Sequence, residues 1–126
     1  HSAPVGCAAP YLSYCQGVYA AVDYALSQGK WVLVVSEPYV SDDHVKQPQA
    51  LRGMLQQEFG HQPRVVYASA GEAVDLTDSS LCFDGVHLTP VGNERVADFL
   101  AGSVLDVLDR AAQPPRQEAQ EGAHHG

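Results

Sequence analysis

Trp31-Val32-Leu33-Val34-Val35 decides the fold class of this chain, because the run is apolar without alternation between two faces. An uninterrupted apolar run is typical of a parallel β-strand that is buried on both faces of its sheet. The turn Ser36-Glu37-Pro38-Tyr39 follows at the carboxyl end of this strand, where open α/β sheets build their binding crevices. Glu37 could reach such a crevice, although a turn carboxylate ahead of a proline is the simpler interpretation and the one we adopt.

Helical periodicity flanks this strand on both sides. One helix is predicted between Pro10 and Gly29, which suit its first turn and its C-terminal stop. A second helix is predicted over residues 42–59, with Ser41 as its N-cap. Pro48 lies inside this segment, where a proline removes a backbone hydrogen bond. We therefore expect either a kink or a regular part that begins near Gln47.

The second half of the chain repeats the strand–helix order. A short strand is predicted over residues 64–68, and residues 69–83 have the composition of a loop. Thr89 and Pro90 mark the start of a final helix as N-cap and first helical residue. Its apolar residues at helical spacing are Val96, Phe99, Leu100, Val104, Val107 and Leu108. The order helix, strand, helix, strand, helix predicts an α/β fold with right-handed crossovers and a parallel sheet.

Two strands alone do not complete such a sheet, because their edges and apolar faces would remain uncovered. The chain also has 126 residues and begins with His1. We therefore expect it to be the C-terminal part of a longer protein whose N-terminal half is missing here. Residues 1–110 would form the C-terminal portion of one domain, and residues 111–126, without an apolar face, a disordered tail.

The formal net charge of −8 argues against nucleic acid as a partner, since phosphate binding needs clustered Lys and Arg. No apolar run approaches the roughly 20 residues that span a bilayer, so no transmembrane segment is predicted. The composition does not indicate a cellular compartment.

The three cysteines are an odd number without metal-finger spacing, and no cofactor or metal is predicted. We interpret Cys7, Cys15 and Cys82 as small buried apolar residues, while a Cys7–Cys15 bridge stays open if the protein is secreted.

The segment Phe83 to Asn93 carries the chemistry, because Asp84 stands three residues before His87 at the entrance to the final helix. A carboxylate this close to an imidazole can accept its Nδ1–H bond and stabilise the imidazolium that forms when Nε2 takes a proton from a serine. The alternative is a purely local pair, in which Asp84 caps a turn and His87 is a surface residue.

The longer pattern Asp84-x-x-His87-Leu88-Thr89-x-x-Gly92-Asn93 resembles the last sequence block of the SGNH, or GDSL-type, hydrolases. The resemblance implies a flavodoxin-like three-layer α/β/α fold and a serine esterase or lipase activity. It makes His87 the catalytic base and Asp84 its orienting carboxylate. The nucleophilic Gly-Asp-Ser block of that family is absent from the sequence, and Asn93 is its only Asn, so the nucleophile and the oxyanion Asn have no matching position.

The resemblance implies that the intact protein hydrolyses a small-molecule ester or related acyl substrate through an acyl-serine intermediate. Two alternatives stay open. The chain could be a non-catalytic binding module that kept the scaffold and lost the nucleophile, or it could combine with an N-terminal portion on a separate chain. A metal site would need His44 or His61 to converge on Asp84 and His87, for which the sequence offers no support.

Overall fold

The computed structural model describes residue 7, residues 9–38 and residues 42–114, with the backbone alone for residues 42–44. Within these ranges the fold is mixed α/β, with three α-helices and a parallel sheet of two strands. The helices are α1 (Leu12–Ser27), α2 (Asp42–Phe59) and α3 (Pro90–Ala112). The strands are β1 (Val32–Ser36) and β2 (Val65–Ser69).

The two strands pair in parallel through the crossover helix α2, as the order of elements predicted. The register runs from Val32 opposite Val65 to Ser36 opposite Ser69. Both carboxyl ends therefore lie at the same edge of the sheet. Short 3₁₀ turns over Ala9–Tyr11 and Ala70–Glu72 precede α1 and follow β2.

The main core lies where α1 and α2 pack against the sheet. Its fully covered side chains come from the two helices: Cys15, Val22, Leu51, Met54 and Leu55. The ring of Tyr19 stacks on that of Phe59 at 5.3 Å between centroids. A second cluster joins the loop before α3 to the helix itself, through Val74, Leu76, Leu81 and Cys82 with Val96 against them.

The expectation that β1 is buried on both faces is wrong for the described part of the chain. Residues Val32 to Val35 are half-buried, and only Ser36 is fully covered. The physical reason is that the described sheet has one strand pairing, so neither strand lies between two others.

Helix α2 spans the predicted residues with Pro48 inside it. Pro48 lies in the second turn, so its missing N–H leaves one carbonyl of the first turn without its i→i−4 partner, yet the helix continues through this position. The predicted N-cap Ser41 lies outside the described residues.

A disulfide joins Cys7 to Cys15, eight residues apart, so the alternative left open by the sequence is the one that the structure adopts. The bond ties the segment before α1 to the main core, because Cys15 is fully buried there. Cys82 is free and buried, as expected for a small apolar residue.

Helix α3 begins as predicted, with Thr89 as N-cap and Pro90 in the first turn. It continues to Ala112, two residues beyond the expected domain boundary, and residues 115–126 lie outside the described ranges. Its apolar face is only partly covered: Val107 is buried, whereas Val104 and Leu108 are exposed. None of the helices in the described ranges is long and apolar enough to cross a membrane.

Candidate active site

Two backbone hydrogen bonds join the two arms of the loop over residues 81–89, which leads from the second cluster into α3. The Phe83 N–H donates to the His87 carbonyl at 2.8 Å, and the Thr89 N–H donates to the Leu81 carbonyl at 2.9 Å. Cys82 and Leu88 form an antiparallel bridge between these bonds. Residues 83–87 therefore form a tight turn, which is closed by the pairing of buried Cys82 with Leu88.

Asp84 organises this turn with both of its carboxylate oxygens. Oδ1 accepts hydrogen bonds from the backbone N–H of Val86 at 3.0 Å and of His87 at 2.7 Å. Oδ2 lies 2.6 Å from Nδ1 of His87. Gly85 between them has a φ of 81°, a left-handed conformation that glycine adopts without steric cost.

These hydrogen bonds favour the ionised carboxylate. The backbone N–H of His87, then its imidazole, then the backbone N–H of Val86 lower the pKa of Asp84 from 3.8 to about 2. A carboxylate can only accept a hydrogen bond, so Nδ1 of His87 must carry the proton. Nε2 is then the basic nitrogen of the ring, and the side chain that bears it is 76% exposed.

A buried latch at the start of α3 supports the turn. The Thr89 hydroxyl donates to the Ser80 carbonyl at 2.7 Å and accepts from the Gly92 N–H at 3.1 Å. Gly92 is buried against the backbone of Leu81, and a Cβ at this position would collide with the Leu81 carbonyl. The sequence indicated the cap at Thr89, but it did not indicate the bond to Ser80.

The loop before the latch is more regular than its composition predicted. The Oδ1 atoms of Asp75 and Asp78 accept from the backbone N–H groups of Thr77 and Ser80, at 2.8 and 2.9 Å. The Thr77 and Ser80 hydroxyls also donate to these carboxylates. Their hydrogen bonds, followed by those of the two backbone N–H groups, lower the pKa of Asp75 and Asp78. The signal was present as an Asp followed two residues later by Thr or Ser, a known local turn pattern.

A cleft of about 650 Å³ opens beside the Asp84–His87 turn at the carboxyl end of β1. Three walls meet there: Val86 and Leu88 from the turn, Ser36 and Glu37 from the strand end, and Tyr14 from α1. The remaining described lining residues are Val35, Pro38, Gln47, Pro48, Leu76 and Gly85. The sequence placed a crevice at this strand end, and Glu37 does reach it, contrary to the simpler interpretation adopted above.

Tyr14 and Leu76 were not predicted to take part, because no local pattern brings α1 and the 73–82 loop to the same cleft. Ser36 is anchored there by a 2.7 Å hydrogen bond between its hydroxyl and that of Tyr67. Burial, and then the nearby Tyr67 and Glu37, raise the pKa of Tyr14.

Of the other histidines considered in the sequence, His61 is not among the described residues that line the cleft. His61 is an exposed residue of the turn between α2 and β2, and the side chain of His44, like the whole of Tyr39, lies outside the described residues. Over the part of the chain that the structure describes, no three His, Cys, Asp or Glu side chains converge to hold a metal ion.

Comparisons of the chain with models of protein families, with curated proteins and with solved structures found no match.

Proposed function

We propose that this chain supplies the general base and its orienting carboxylate to a serine hydrolase of the SGNH type, which cleaves ester or related acyl bonds. One observation carries the proposal: Oδ2 of Asp84 lies 2.6 Å from Nδ1 of His87, while Oδ1 is held by two backbone N–H groups. A carboxylate anchored in this way orients the imidazole without having to reorganise during the reaction.

In the proposed reaction, Nε2 of His87 takes the proton from a serine hydroxyl as the serine oxygen attacks the acyl carbon. Asp84 stabilises the resulting imidazolium through the Nδ1 hydrogen bond. His87 then donates that proton to the leaving alcohol, and the acyl-serine forms. In the second half His87 deprotonates a water molecule that attacks the acyl carbon, and it then donates this proton to the serine oxygen as the acid leaves.

The proposal assigns the nucleophilic serine and the oxyanion donors to residues outside this sequence, since the sequence contains no Gly-Asp-Ser block. We also propose that the intact domain has the flavodoxin-like three-layer α/β/α fold. The parallel β1–α2–β2 unit followed by α3 is compatible with the C-terminal half of a flavodoxin-like three-layer domain, in which the remaining parallel strands would pair with the described sheet.

The accessible position of His87 supports a catalytic role over a purely local pair. An Asp that only caps the turn needs its Oδ1 bonds, and these do not involve the imidazole. The additional Oδ2–Nδ1 contact fixes the ring and leaves Nε2 on an exposed side chain beside a cleft of ligand size.

The test is the activity of the protein expressed from its complete reading frame, measured on short p-nitrophenyl esters together with labelling by a fluorophosphonate. We expect His87→Ala to lower kcat/KM by about 10⁴-fold or more, because the base that activates the serine is removed. His61→Ala, which changes an exposed histidine in a turn, serves as the matched control and should retain the activity.

Unchanged turnover in His87→Ala would reject the catalytic assignment. A complete protein that neither hydrolyses esters nor reacts with the fluorophosphonate would favour the binding-module alternative.

A further inference from the structure

The cleft beside the Asp84–His87 turn has an unbalanced charge. Glu37 is the one side chain with a formal charge among the described residues that line it. Its other described walls are apolar or carry uncharged hydroxyl and amide groups, such as Tyr14 and Gln47. An anionic group that enters this space meets a carboxylate, and the described lining includes no Lys, Arg or His to offset it.

The position of Glu37 is set by the residue before it. Ser36 is 3% exposed, and its hydroxyl is hydrogen-bonded to the phenol of Tyr67 on the neighbouring strand. This hydrogen bond anchors the end of β1, and it therefore holds the backbone of the next residue, Glu37, at the cleft. Arg52 lies 5.8 Å from the centre of the Tyr67 ring, but it is not among the cleft-lining residues.

The cleft also has the size and composition of a small-molecule site. A volume of about 650 Å³ lies within the usual range for ligand pockets, and Val35, Leu76, Val86 and Leu88 provide apolar contact area. Gly85, Val86 and Leu88 line the cleft, whereas His87 itself is not among its described lining residues, so the cleft adjoins the turn that carries the imidazole.

We propose that this cleft holds the part of the substrate next to the scissile ester, and that Glu37 selects uncharged groups there by excluding anionic ones. That the bound molecule is a substrate rests on the proposed function. Binding and charge selection rest on the cleft alone. The substrate class is an ester with a neutral, partly apolar acyl or alcohol group, in preference to a carboxylate-bearing or phosphate-bearing one.

The experiment measures binding, which requires no turnover, on the isotopically labelled chain by NMR. The probes are methyl valerate and monomethyl glutarate, which differ in a terminal methyl group against a terminal carboxylate. Wild-type chain should show shifts of the Gly85, Val86 and Leu88 amides with the neutral ester and weaker shifts with the anionic one.

Glu37→Gln should raise the affinity for monomethyl glutarate by about fivefold, the effect of one removed charge at contact distance in a largely aqueous setting. The affinity for methyl valerate should stay unchanged. Glu94→Gln removes the same charge from an exposed position on α3 outside the cleft lining, and it should alter neither affinity.

Absence of amide shifts at the cleft with both probes would overturn the site. An unchanged preference in Glu37→Gln, or an equal gain in Glu94→Gln, would overturn the role of Glu37. Amide shifts in the wild-type chain together with unchanged turnover of His87→Ala in the complete protein would reject the catalytic proposal alone, so the two failures are distinguishable.

Discussion

At the residue scale, the two carboxylate oxygens of Asp84 have different tasks. Oδ1 holds the backbone of the turn, and Oδ2 holds the imidazole of His87. A substitution that preserves the first task while changing the second therefore tests the site without unfolding the turn.

Asp84→Asn is such a substitution. The Asn carbonyl can still accept from Val86 and His87, but its NH₂ then faces Nδ1 and can only donate to it. The imidazole proton should move to Nε2, which removes the basic nitrogen from the exposed side of the ring. The ¹⁵N chemical shifts of the His87 ring report this change of tautomer directly.

Asp75→Asn is the matched control, because Asp75 forms a similar turn in which its Oδ1 accepts hydrogen bonds from the backbone N–H and the hydroxyl of Thr77. A ring of His87 that keeps its proton on Nδ1 in Asp84→Asn would contradict the assigned hydrogen bond.

The low pKa of Asp84 predicts where acid disrupts the turn. Because its folded-state pKa of about 2 lies below its ordinary value of 3.8, the stabilisation is present above pH 3.8 and is lost as the pH falls through about 2. The Val86 and His87 amide shifts should titrate with a midpoint near the lower value. The same amides in Asp84→Asn should lack this transition, and a midpoint near 3.8 in the wild type would show that the hydrogen bonds are not formed.

At the element scale, most helix and strand positions follow from local patterns. Helix α2 spans the expected residues, and α3 begins at the Thr89–Pro90 signal. Caps and periodic apolar faces act over a few residues, so a single stretch of sequence contains the information. The hydrogen bond from Thr89 to Ser80 spans nine residues and has no such local signature.

Thr89 is predicted to stabilise both α3 and the active-site turn. Thr89→Val has nearly the same shape but loses both hydroxyl hydrogen bonds at a buried position, so it should lower the free energy of unfolding by about 2 kcal/mol. Thr89→Ser keeps both bonds and should lose about 1 kcal/mol or less. The midpoints of urea unfolding measure the difference. Equal midpoints for the two variants would show that the two hydroxyl hydrogen bonds of Thr89 do not stabilise the fold.

At the scale of the whole molecule, the described structure leaves apolar surface uncovered. Val104, Leu105 and Leu108 on α3 are exposed to 46%, 61% and 58%, and β1 is half-buried. Exposed apolar side chains grouped on one helix, such as these three on α3, favour association between molecules in water.

We therefore expect the 126-residue chain to self-associate as its concentration rises, which sedimentation velocity detects. Replacing Leu105 and Leu108 by Lys should shift the chain toward monomer, because apolar area is removed and charge is added. Replacing Ala101 and Ala111 by Lys adds the same charge at exposed positions of the same helix, and it should have a smaller effect. Equal effects of the two pairs would show that charge alone controls the association.

The sequence by itself determined the α/β class, the span of α2, the start of α3 and the Asp84–His87 pair, because each depends on contacts within a turn or on one periodic face. Tertiary structure alone decided that Tyr14, Glu37 and Leu76 line one cleft together with Gly85 and Val86 of the turn, and that β1 is only half-buried. These properties depend on how segments distant in the chain pack together. Side-chain packing between such segments has no periodic signature, whereas the hydrogen bonds of a four-residue turn are set by its own residues.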